Sequence, residues 1–431
     1  MRILFINHTI GIGSTGRICT DLAAAYEKEG HECKIAYGRG ACAERFERYA
    51  VRIGSDLSLY ANVVKARIFD NDGLSAKRAT RRFLEWARAY DPDVLWLHNL
   101  HGYYINYEML FAFIKSRPQM KVKWTLHDCW SFTGHCACFT MADCRQWETH
   151  CTHCVQKGEY PASRVMDGCK RNFERKRASF TGVSSMELVT PSKWLADLTK
   201  KSFLREYPVT VVHNKIDLDI FKPTEGDFRS LYGVEGKTLL LGVANAWQKS
   251  KGLYDFLSLA RVLGDGYAIA LVGLTEKQIE EVCRLMPQMK KAASPSERAT
   301  VLVHTDACAT DEERAFCERA AQTDPKPIYR ALGAAIEVSP FALAKQIMGE
   351  SCTAQGAVAK LILMQRTDTP TELAALYTAA DLFLNPTYED NYPTTNLEAQ
   401  ACGTTVITYK TGGCVETLDP IKEDITERET V

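Results

Sequence analysis

The chain has 431 residues, which is long enough for two or three domains that each bury their own core. Its 53 Lys and Arg residues balance 53 Asp and Glu residues, so no net charge draws nucleic acid to the chain, and we expect no such partner. There is no run of about 18 apolar residues, and the opening MRILFINHTI lacks the pattern of a signal peptide. These features argue against a membrane-spanning or secreted protein and predict a cytoplasmic one.

The first half of the chain alternates short apolar runs with helical patterns. Alternation of this kind predicts the α/β class, with a parallel sheet covered by helices on both faces. The predicted strands are residues 2–7, 33–37, 94–99, 122–128, 188–192 and 209–214, and residues 16–30 are predicted to be helical.

The pattern pauses in a stretch rich in Pro, Gly and charge at residues 221–227 and then restarts. We therefore predict two α/β domains, covering residues 1–222 and 223–431. The predicted strands of the second domain are residues 238–244, 268–273, 361–365, 382–386 and 404–410. Helices are expected from about Gly252, around 372–380, and from about Thr395 to Ala401.

A glycine loop, HTIGIGSTGR, follows the first predicted strand, and Gly11, Gly13 and Gly16 match the dinucleotide fingerprint. Glycines at this place let backbone N–H groups approach an anion at the N-terminus of a helix. The second strand is followed by Arg39 rather than by the acidic residue that binds the ribose of NAD. At this point an NADP site, a site for another phosphate ligand and an empty tight turn all stay open.

The segment ADLFLNPTYEDNYPTTNLEAQACGTTVITYKTGGCVE, residues 380–416, resembles the donor site of the retaining glycosyltransferases of family 4. The family places an acid, seven residues and then a glutamate before an ACG turn and a strand, and Asp390 and Glu398 have this spacing. The segments DVLWLHNLHGYYIN, WTLHDCWSFTGHC, TPSKWLADL and VHNKID resemble a subgroup that makes exopolysaccharides and capsules, including the colanic-acid type. The resemblance implies the GT-B fold, with two Rossmann-like domains facing a cleft, the first on the acceptor side.

The resemblance also implies roles for individual residues. Glu398 would accept hydrogen bonds from the ribose, Asp390 and His127 would position the hexose, and Lys251 would stabilise the leaving diphosphate. The roles of His98 and His101 stay undecided between the site and the core. The expected catalytic residues are His127, Asp390 and Lys251. The expected donor-binding residues are Gly13, Ser14, Gly16, Lys249, Lys251, Asp390, Asn391, Glu398, Gly412 and Gly413.

The activity implied by the family is transfer of a hexose, with retention, from a nucleotide-diphosphate sugar to a glycan or lipid-linked acceptor. The sequence does not choose between UDP and GDP. No catalytic metal is implied, and we interpret Asp91, Pro92 and Asp93 as a turn rather than as a metal-binding DxD motif. The alternatives are a non-catalytic sugar-nucleotide binder, an NADP-dependent oxidoreductase and a zinc-dependent interaction protein.

The chain departs from the family pattern in several places. Ala246 stands where the family usually has arginine, and we expect Lys249 to replace the lost charge. Lys215 stands where the family usually has glycine in the interdomain hinge. About 70 residues, from about 289 to 360, are expected to form an insertion in the second domain. The C-terminal region is expected to be short for the family.

Seven of the 16 cysteines lie between positions 129 and 169. Cys136, Cys144, Cys151 and Cys154 form the pattern C-x7-C-x6-C-x2-C, and its C-x2-C end has the spacing of a zinc site. We expect a structural zinc at these four residues. Free thiols are the second interpretation and disulfides the third, because the predicted compartment is reducing.

A basic run, KRNFERKR, covers residues 170–177. Most runs of this kind are the solvated face of a helix. The alternative is contact with anionic lipid, which would place the protein at the inner face of the membrane, next to a lipid-linked acceptor.

Overall fold

The computed structural model describes residues 1–286, 289–304 and 359–418. The chain divides into two compact units, Met1–Asn214 and Lys215–Val431, and each is built around a seven-stranded sheet. No helix in the described ranges is both long and apolar enough to span a membrane.

The first unit contains a fully parallel sheet with the strand order β3-β2-β1-β4-β5-β6-β7. Its strands are β1 (Arg2–Asn7), β2 (Glu32–Tyr37), β3 (Ala50–Arg52), β4 (Val94–Leu97), β5 (Lys121–Thr125), β6 (Met186–Thr190) and β7 (Val209–Val211). Its helices are α1 (Gly13–Lys28), α2 (Asp56–Phe69), α3 (Lys77–Tyr90), α4 (Tyr107–Lys115), α5 (Cys169–Phe180) and α6 (Lys193–Lys201).

The second unit contains a mixed sheet with the order β10-β11-β12-β9-β8-β13-β14. Its strands are β8 (Thr238–Val243), β9 (Tyr267–Val272), β10 (Met289–Ala292), β11 (Ala299–His304), β12 (Lys360–Met364), β13 (Leu382–Asn385) and β14 (Thr405–Thr408). Its described helices are α7 (Phe228–Leu231), α8 (Leu253–Val262), α9 (Glu276–Leu285), α10 (Pro370–Ala379) and α11 (Thr394–Ala401).

The central strands form because their apolar side chains are covered on both faces. In β1 every residue after Arg2 is buried, and β9 buries every residue after Tyr267. Near-continuous burial of this kind is typical of parallel strands that lie between two layers of helices. The strands predicted from the sequence are all present, and most of them end a few residues earlier than predicted, so the polar residues that follow them lie in loops.

The predicted insertion is described only at its start. Residues 289–304 form β10 and β11, an antiparallel pair, and β11 also pairs antiparallel with β12. The rest of the predicted insertion, residues 305–358, lies outside the described residues. The strand pair therefore extends the edge of an otherwise parallel sheet.

The cysteine-rich segment between β5 and α5 contains short 3-10 turns and no described strand. Its packing is aromatic: Phe132, Phe139 and Trp147 are buried, and the rings of Phe139 and Trp147 stack 4.8 Å apart. These rings join the main apolar core of the first unit. The segment thus has a core contact that its scattered apolar residues did not suggest.

Candidate functional site

Three loops of the second unit follow the adjacent parallel strands β8, β13 and β14. Because these strands are parallel, the loops leave the sheet at the same edge, which is where open α/β sheets bind ligands. Lys251 lies in the first loop, Asp390 in the second and Gly412 in the third. The order of the strands therefore brings together residues that lie far apart in the sequence.

Lys251 and Asp390 form an ion pair at this edge. The Nζ atom of Lys251 lies 2.6 Å from Oδ2 of Asp390 and 3.4 Å from the carbonyl oxygen of Glu389. The two side chains are 29% and 22% exposed, so the pair is partly shielded and still open to a solute. A lysine held in this way keeps its charge at a fixed point and can exchange a carboxylate for another anion.

Two glycines allow the loops to approach each other. Gly412 has a φ of 55°, and a Cβ at that position would overlap the carbonyl oxygen of Asp390. Gly252, directly after Lys251, has a φ of 72°, and a Cβ there would overlap the carbonyl oxygen of Pro386. The N–H of Gly413 donates to the carbonyl of Asp390 at 3.2 Å, so this amide holds the loop in place.

A buried acid beneath the loops was missed by the sequence analysis. Asp255, on α8, is 2% exposed and accepts hydrogen bonds from the hydroxyls of Tyr388, at 2.7 Å, and Tyr409, at 3.1 Å. The Asp390 loop and the strand before Gly412 are thereby tied to the helix that follows Lys251. The signal in the sequence was an acid one helical turn after Lys251, but nothing local identified its tyrosine partners.

The other predicted donor residues of the second unit differ from one another in burial and position. Glu398 is buried on α11, and its Oε2 accepts a hydrogen bond from the Tyr377 hydroxyl at 3.0 Å. Burial and the neighbouring Glu398 carboxylate raise the pKa of Tyr377 well above its ordinary value. Asn391 is half-buried in the loop after Asp390, and Lys249 is exposed in the 3-10 turn that contains Lys251.

In the first unit, the glycine loop opens α1 as predicted. Gly11 and Gly13 have positive φ angles of 64° and 68°, and the N–H of Gly11 donates to the carbonyl of Gly16 at 3.1 Å. Gly13 and Ser14 are exposed at the helix N-terminus, and the first turn carries no acidic residue. This arrangement presents free space and a positive helix end to a solute.

Four histidines gather at the carboxyl edge of the first sheet. His8, His98 and His127 follow the adjacent strands β1, β4 and β5, and Nδ1 of His98 lies 3.0 Å from Nε2 of His127. His101 bonds the Asp128 carboxylate through Nε2 at 2.8 Å and the Tyr160 hydroxyl through Nδ1 at 2.9 Å. His98 and His101, whose roles the sequence left undecided, thus lie at the same edge of the sheet as His127.

Burial lowers the pKa of all four histidines, and a nearby carboxylate reverses the net shift only at His101. Burial lowers the pKa of His127 to about 4, against the opposing effect of Asp128, and the pKa of His8 to about 3, together with repulsion from His101 and Arg39. The pKa of His98 also falls, through burial and His127. Burial lowers the pKa of His101 too, but the Asp128 carboxylate outweighs it, and the net pKa is raised. At neutral pH the His98–His127 pair is therefore uncharged, with one imidazole donating to the other.

The cysteine-rich segment brings the four cysteines predicted from the spacing together with a fifth. Cys136, Cys151 and Cys154 are joined by Cys169, from the first turn of α5, and Cys144 lines the same small cavity but is less buried. As the side chains stand, no three His, Cys, Asp or Glu side chains in the described ranges are arranged to hold a metal ion.

The basic run lies entirely within α5, and two of its five cations are engaged in packing or in an ion pair. Lys176 is 1% exposed, and its Nζ donates to the carbonyls of Trp130, at 2.6 Å, and Thr133, at 3.1 Å. Arg175 forms a two-point ion pair with Glu108, at 2.7 and 2.6 Å. The cations left on the surface of the run are therefore fewer than its sequence suggested.

Residues 15–220 match the family model described as Glycosyltransferase Family 4, and residues 349–424 match the model described as Glycosyl transferases group 1. The putative colanic acid biosynthesis glycosyl transferase WcaC of Escherichia coli (strain K12) is 27% identical over 229 residues. That match covers 51% of this chain and 55% of WcaC, so the chain spans about half the length of this curated relative.

Solved structures share the fold of this chain. Sucrose-phosphate synthase from Thermosynechococcus elongatus superimposes with a TM-score of 0.54 at 12% identity, and Anabaena Alr3699/HepE, solved in complex with UDP, with 0.52 at 13%. Each match covers 96% of this chain and 82% of the other. Since one glycosyltransferase model matches each unit and both units are Rossmann-like, the chain belongs to the family 4 type of glycosyltransferases with the GT-B fold.

Proposed function

We propose that this protein transfers a hexose from a nucleotide-diphosphate sugar to a glycan or lipid-linked acceptor, with retention of configuration, during assembly of a cell-surface polysaccharide. The observation that carries the proposal is the ion pair of Lys251 and Asp390 at the carboxyl edge of the second sheet. It places a fixed cation beside a fixed carboxylate, next to loops that glycines hold close together.

Each member of the pair suits one end of a sugar nucleotide. The Lys251 ammonium is the group that would stabilise the negative charge that develops on the leaving diphosphate. The Asp390 carboxylate, released from the lysine when the diphosphate arrives, would accept hydrogen bonds from hexose hydroxyls. Glu398, Asn391 and the Gly412 loop would complete the donor site. The cation closest in sequence to Ala246 is Lys249, which would replace the charge of the arginine that the family usually has at position 246.

In the first unit, the neutral imidazole of His127 would donate or accept a hydrogen bond without adding charge. His98 fixes which of the ring nitrogens of His127 is shared within the pair. The exposed amides at Gly13 and Ser14 suit an anionic oxygen, and Gly16 allows their loop to close. Retention follows from a mechanism in which the acceptor attacks the face that the diphosphate leaves, and the diphosphate helps to take its proton.

UDP is the first nucleotide to test, because HepE was solved with it, and the similarity to WcaC, a putative colanic acid biosynthesis glycosyl transferase, supports a polysaccharide acceptor. Contact with anionic lipid stays a proposal and rests on the exposed cations of the basic run, Lys170, Arg171 and Arg177.

The test is thermal unfolding of the wild-type protein and of Lys251→Ala with UDP, GDP, UDP-sugars, GDP-sugars and NADPH. A ligand that binds only the folded protein raises the unfolding midpoint by mass action. We expect a rise with one sugar nucleotide that is much smaller in the variant, followed by sugar transfer or slow donor hydrolysis. A rise with NADPH alone would favour the oxidoreductase. Donor binding without any turnover, with a range of acceptors, would favour the non-catalytic binder.

A further inference from the structure

The cysteine-rich segment encloses a cavity of about 10 Å³, and five cysteines are among the residues that line it. A cavity of this size has room for about one water-sized sphere, so it suits a single ion and excludes an organic ligand. The lining thiols come from two parts of the chain, the segment itself and the first turn of α5. The five cysteines are Cys136, Cys144, Cys151, Cys154 and Cys169.

Four of these thiols form one connected group. Cys154 is in hydrogen-bond contact with both Cys136 and Cys169, and Cys169 also contacts Cys151. All four residues are at most 8% exposed, whereas Cys144 is only half-buried. A disulfide joins two sulfurs, so two disulfides would need two separate pairs. The contacts also contain two such pairs, but a tetrahedral zinc ion uses four thiolates around one point, which matches four cysteines that line one small cavity.

Backbone N–H groups face two of the four sulfurs. The N–H of Gly134 donates to Sγ of Cys151 at 3.4 Å, and the N–H of Gln156 donates to the sulfur of Cys154. The buried ammonium of Lys176 bonds the carbonyl of Thr133, beside Gly134, and supplies positive charge within the same core. Gly134 is needed here, because a Cβ would overlap the carbonyl oxygen of Cys169.

We propose that Cys136, Cys151, Cys154 and Cys169 bind one zinc ion, which links the cysteine-rich segment to the first turn of α5. Binding replaces the contacts between the thiols with four sulfur–zinc bonds and releases four protons to solvent, leaving a complex with a net charge of minus two. Cys169 thereby takes the place that the spacing in the sequence gave to Cys144. The segment has little regular secondary structure, so a metal crosslink would hold it beside the loop that begins at His127.

The experiment measures zinc in the purified full-length chain by mass spectrometry after gel filtration. We expect about one zinc ion per chain, the ratio of a closed four-thiolate site. Cys169→Ser and Cys154→Ser should lose the metal, and Cys144→Ser and the distant Cys42→Ser should keep it. Each variant is checked for native secondary structure by circular dichroism.

Cobalt substitution is measured on the wild-type protein, so its result does not depend on whether the cysteine variants fold. Four thiolates around cobalt produce intense visible bands of tetrahedral geometry, together with sulfur-to-cobalt charge transfer. A folded wild-type protein that binds neither zinc nor cobalt would overturn the site, as would disulfides among these cysteines in non-reducing mass spectrometry. Metal kept in Cys169→Ser and lost in Cys144→Ser would overturn the assignment of Cys169 and restore the set predicted from the sequence.

Discussion

The two sheets end in edges of the same geometry and opposite electrostatic character. In the first unit, His8, His98 and His127 follow three adjacent strands, and burial keeps their imidazoles neutral. In the second unit, the loops after three adjacent strands carry Lys251, Asp390 and Gly412, and the charged pair remains partly exposed. The first edge thus holds three buried, neutral imidazoles beside the His101–Asp128 pair, and the second holds a partly exposed ion pair.

Under the proposed function, this difference would give the two units different roles. A diphosphate that leaves with extra negative charge needs a fixed cation, and the second edge has one. Hydroxyl groups of a sugar or an acceptor need hydrogen-bond partners without net charge, and the neutral imidazoles of the first edge supply them. Substitutions in the charged loops of the second unit and among the imidazoles of the first unit test the two roles separately.

The largest expected effect is on the charged edge. Lys251→Ala removes the only cation that contacts Asp390 among the described residues, and we expect transfer activity to fall about 10²- to 10³-fold, as for the loss of one preorganised donor to a developing anion. The measurement is kcat/KM for nucleotide release, together with the Kd of UDP by calorimetry.

The matched control is Lys277→Ala, an exposed lysine on α9 of the same unit. It changes the net charge equally and should leave both quantities within about twofold, because distant exposed charges are screened by salt. Equal losses in the two variants would mean that Lys251 acts through net charge and not through its position.

The next prediction concerns the stability of the first unit at acidic pH, where its buried imidazoles become protonated. An imidazole whose pKa is about 4 in the folded protein, as for His127, and about 6.5 in the unfolded chain binds its proton mainly on unfolding. The free energy of unfolding of the first unit should therefore fall as the pH drops from 7 to 5, by about 2 kcal/mol for each such imidazole. His101, whose pKa is raised by Asp128, acts in the opposite direction and offsets part of this loss.

Hydrogen exchange followed by mass spectrometry measures the protection of backbone amides in both units of one sample. The intrinsic exchange rates must first be corrected for pH. Peptides from β1 and β4 should lose protection between pH 7 and 5, while those from β8 and β9 change less, since His304 is the only histidine of the second unit. His127→Asn should reduce the difference. Equal loss in both units would show that the imidazoles of the first edge are not its cause.

A third prediction separates backbone strain from contact at the charged edge. Gly412→Ala forces a side chain into a left-handed conformation and against the Asp390 carbonyl, and we expect a loss of about 2–3 kcal/mol in unfolding free energy and weaker UDP binding. Gly233→Ala is the control, because Gly233 has a similar φ of 57° without such an overlap. It should cost about 1 kcal/mol and leave UDP binding unchanged. If Gly233→Ala weakens UDP binding as much, the contact with Asp390 is not the cause.

Many of the elements at the two edges could be predicted from the sequence, because each prediction depends on residues that are close together in the chain. Apolar runs predicted the strands, and the spacing of Asp390 and Glu398 matched the family pattern on which the proposed donor site rests. Lys251 was predicted from the same resemblance, because it matches the lysine that the family places before the first helix of the second domain. The helix at the glycine loop also followed from the residues alone.

What the sequence could not supply is contact between distant segments. Asp255 gained its role only when the fold brought Tyr388 and Tyr409 over it, about 130 residues or more further along the chain. Cys169 joined the other thiols because α5 packs against their segment, and Lys176 turned inward for the same reason. A run of charges in sequence does not reveal which of its members a neighbouring segment will bury.

The smallest expected effect concerns the support beneath the charged edge. Tyr388→Phe removes one of two tyrosine hydroxyls that donate to Asp255, and Tyr409→Phe removes the other. Each change should cost about 1 kcal/mol in unfolding free energy, the usual net value of one hydrogen bond. The double variant should cost more than the sum, because the two hydroxyls donate to the same oxygen, Oδ2 of Asp255.

Urea unfolding of the four proteins completes this double-mutant cycle, and the Kd of UDP measured on each shows whether the support reaches the site. A coupling energy near zero would mean that the two hydroxyls act independently, so Asp255 would not be a shared anchor. Coupling in stability together with a weaker Kd of UDP would mean that the charged edge depends on a buried anion beneath it. The first edge gains its character from burial of its own imidazoles, whereas the second would then owe its fixed charges to a group that never meets the substrate.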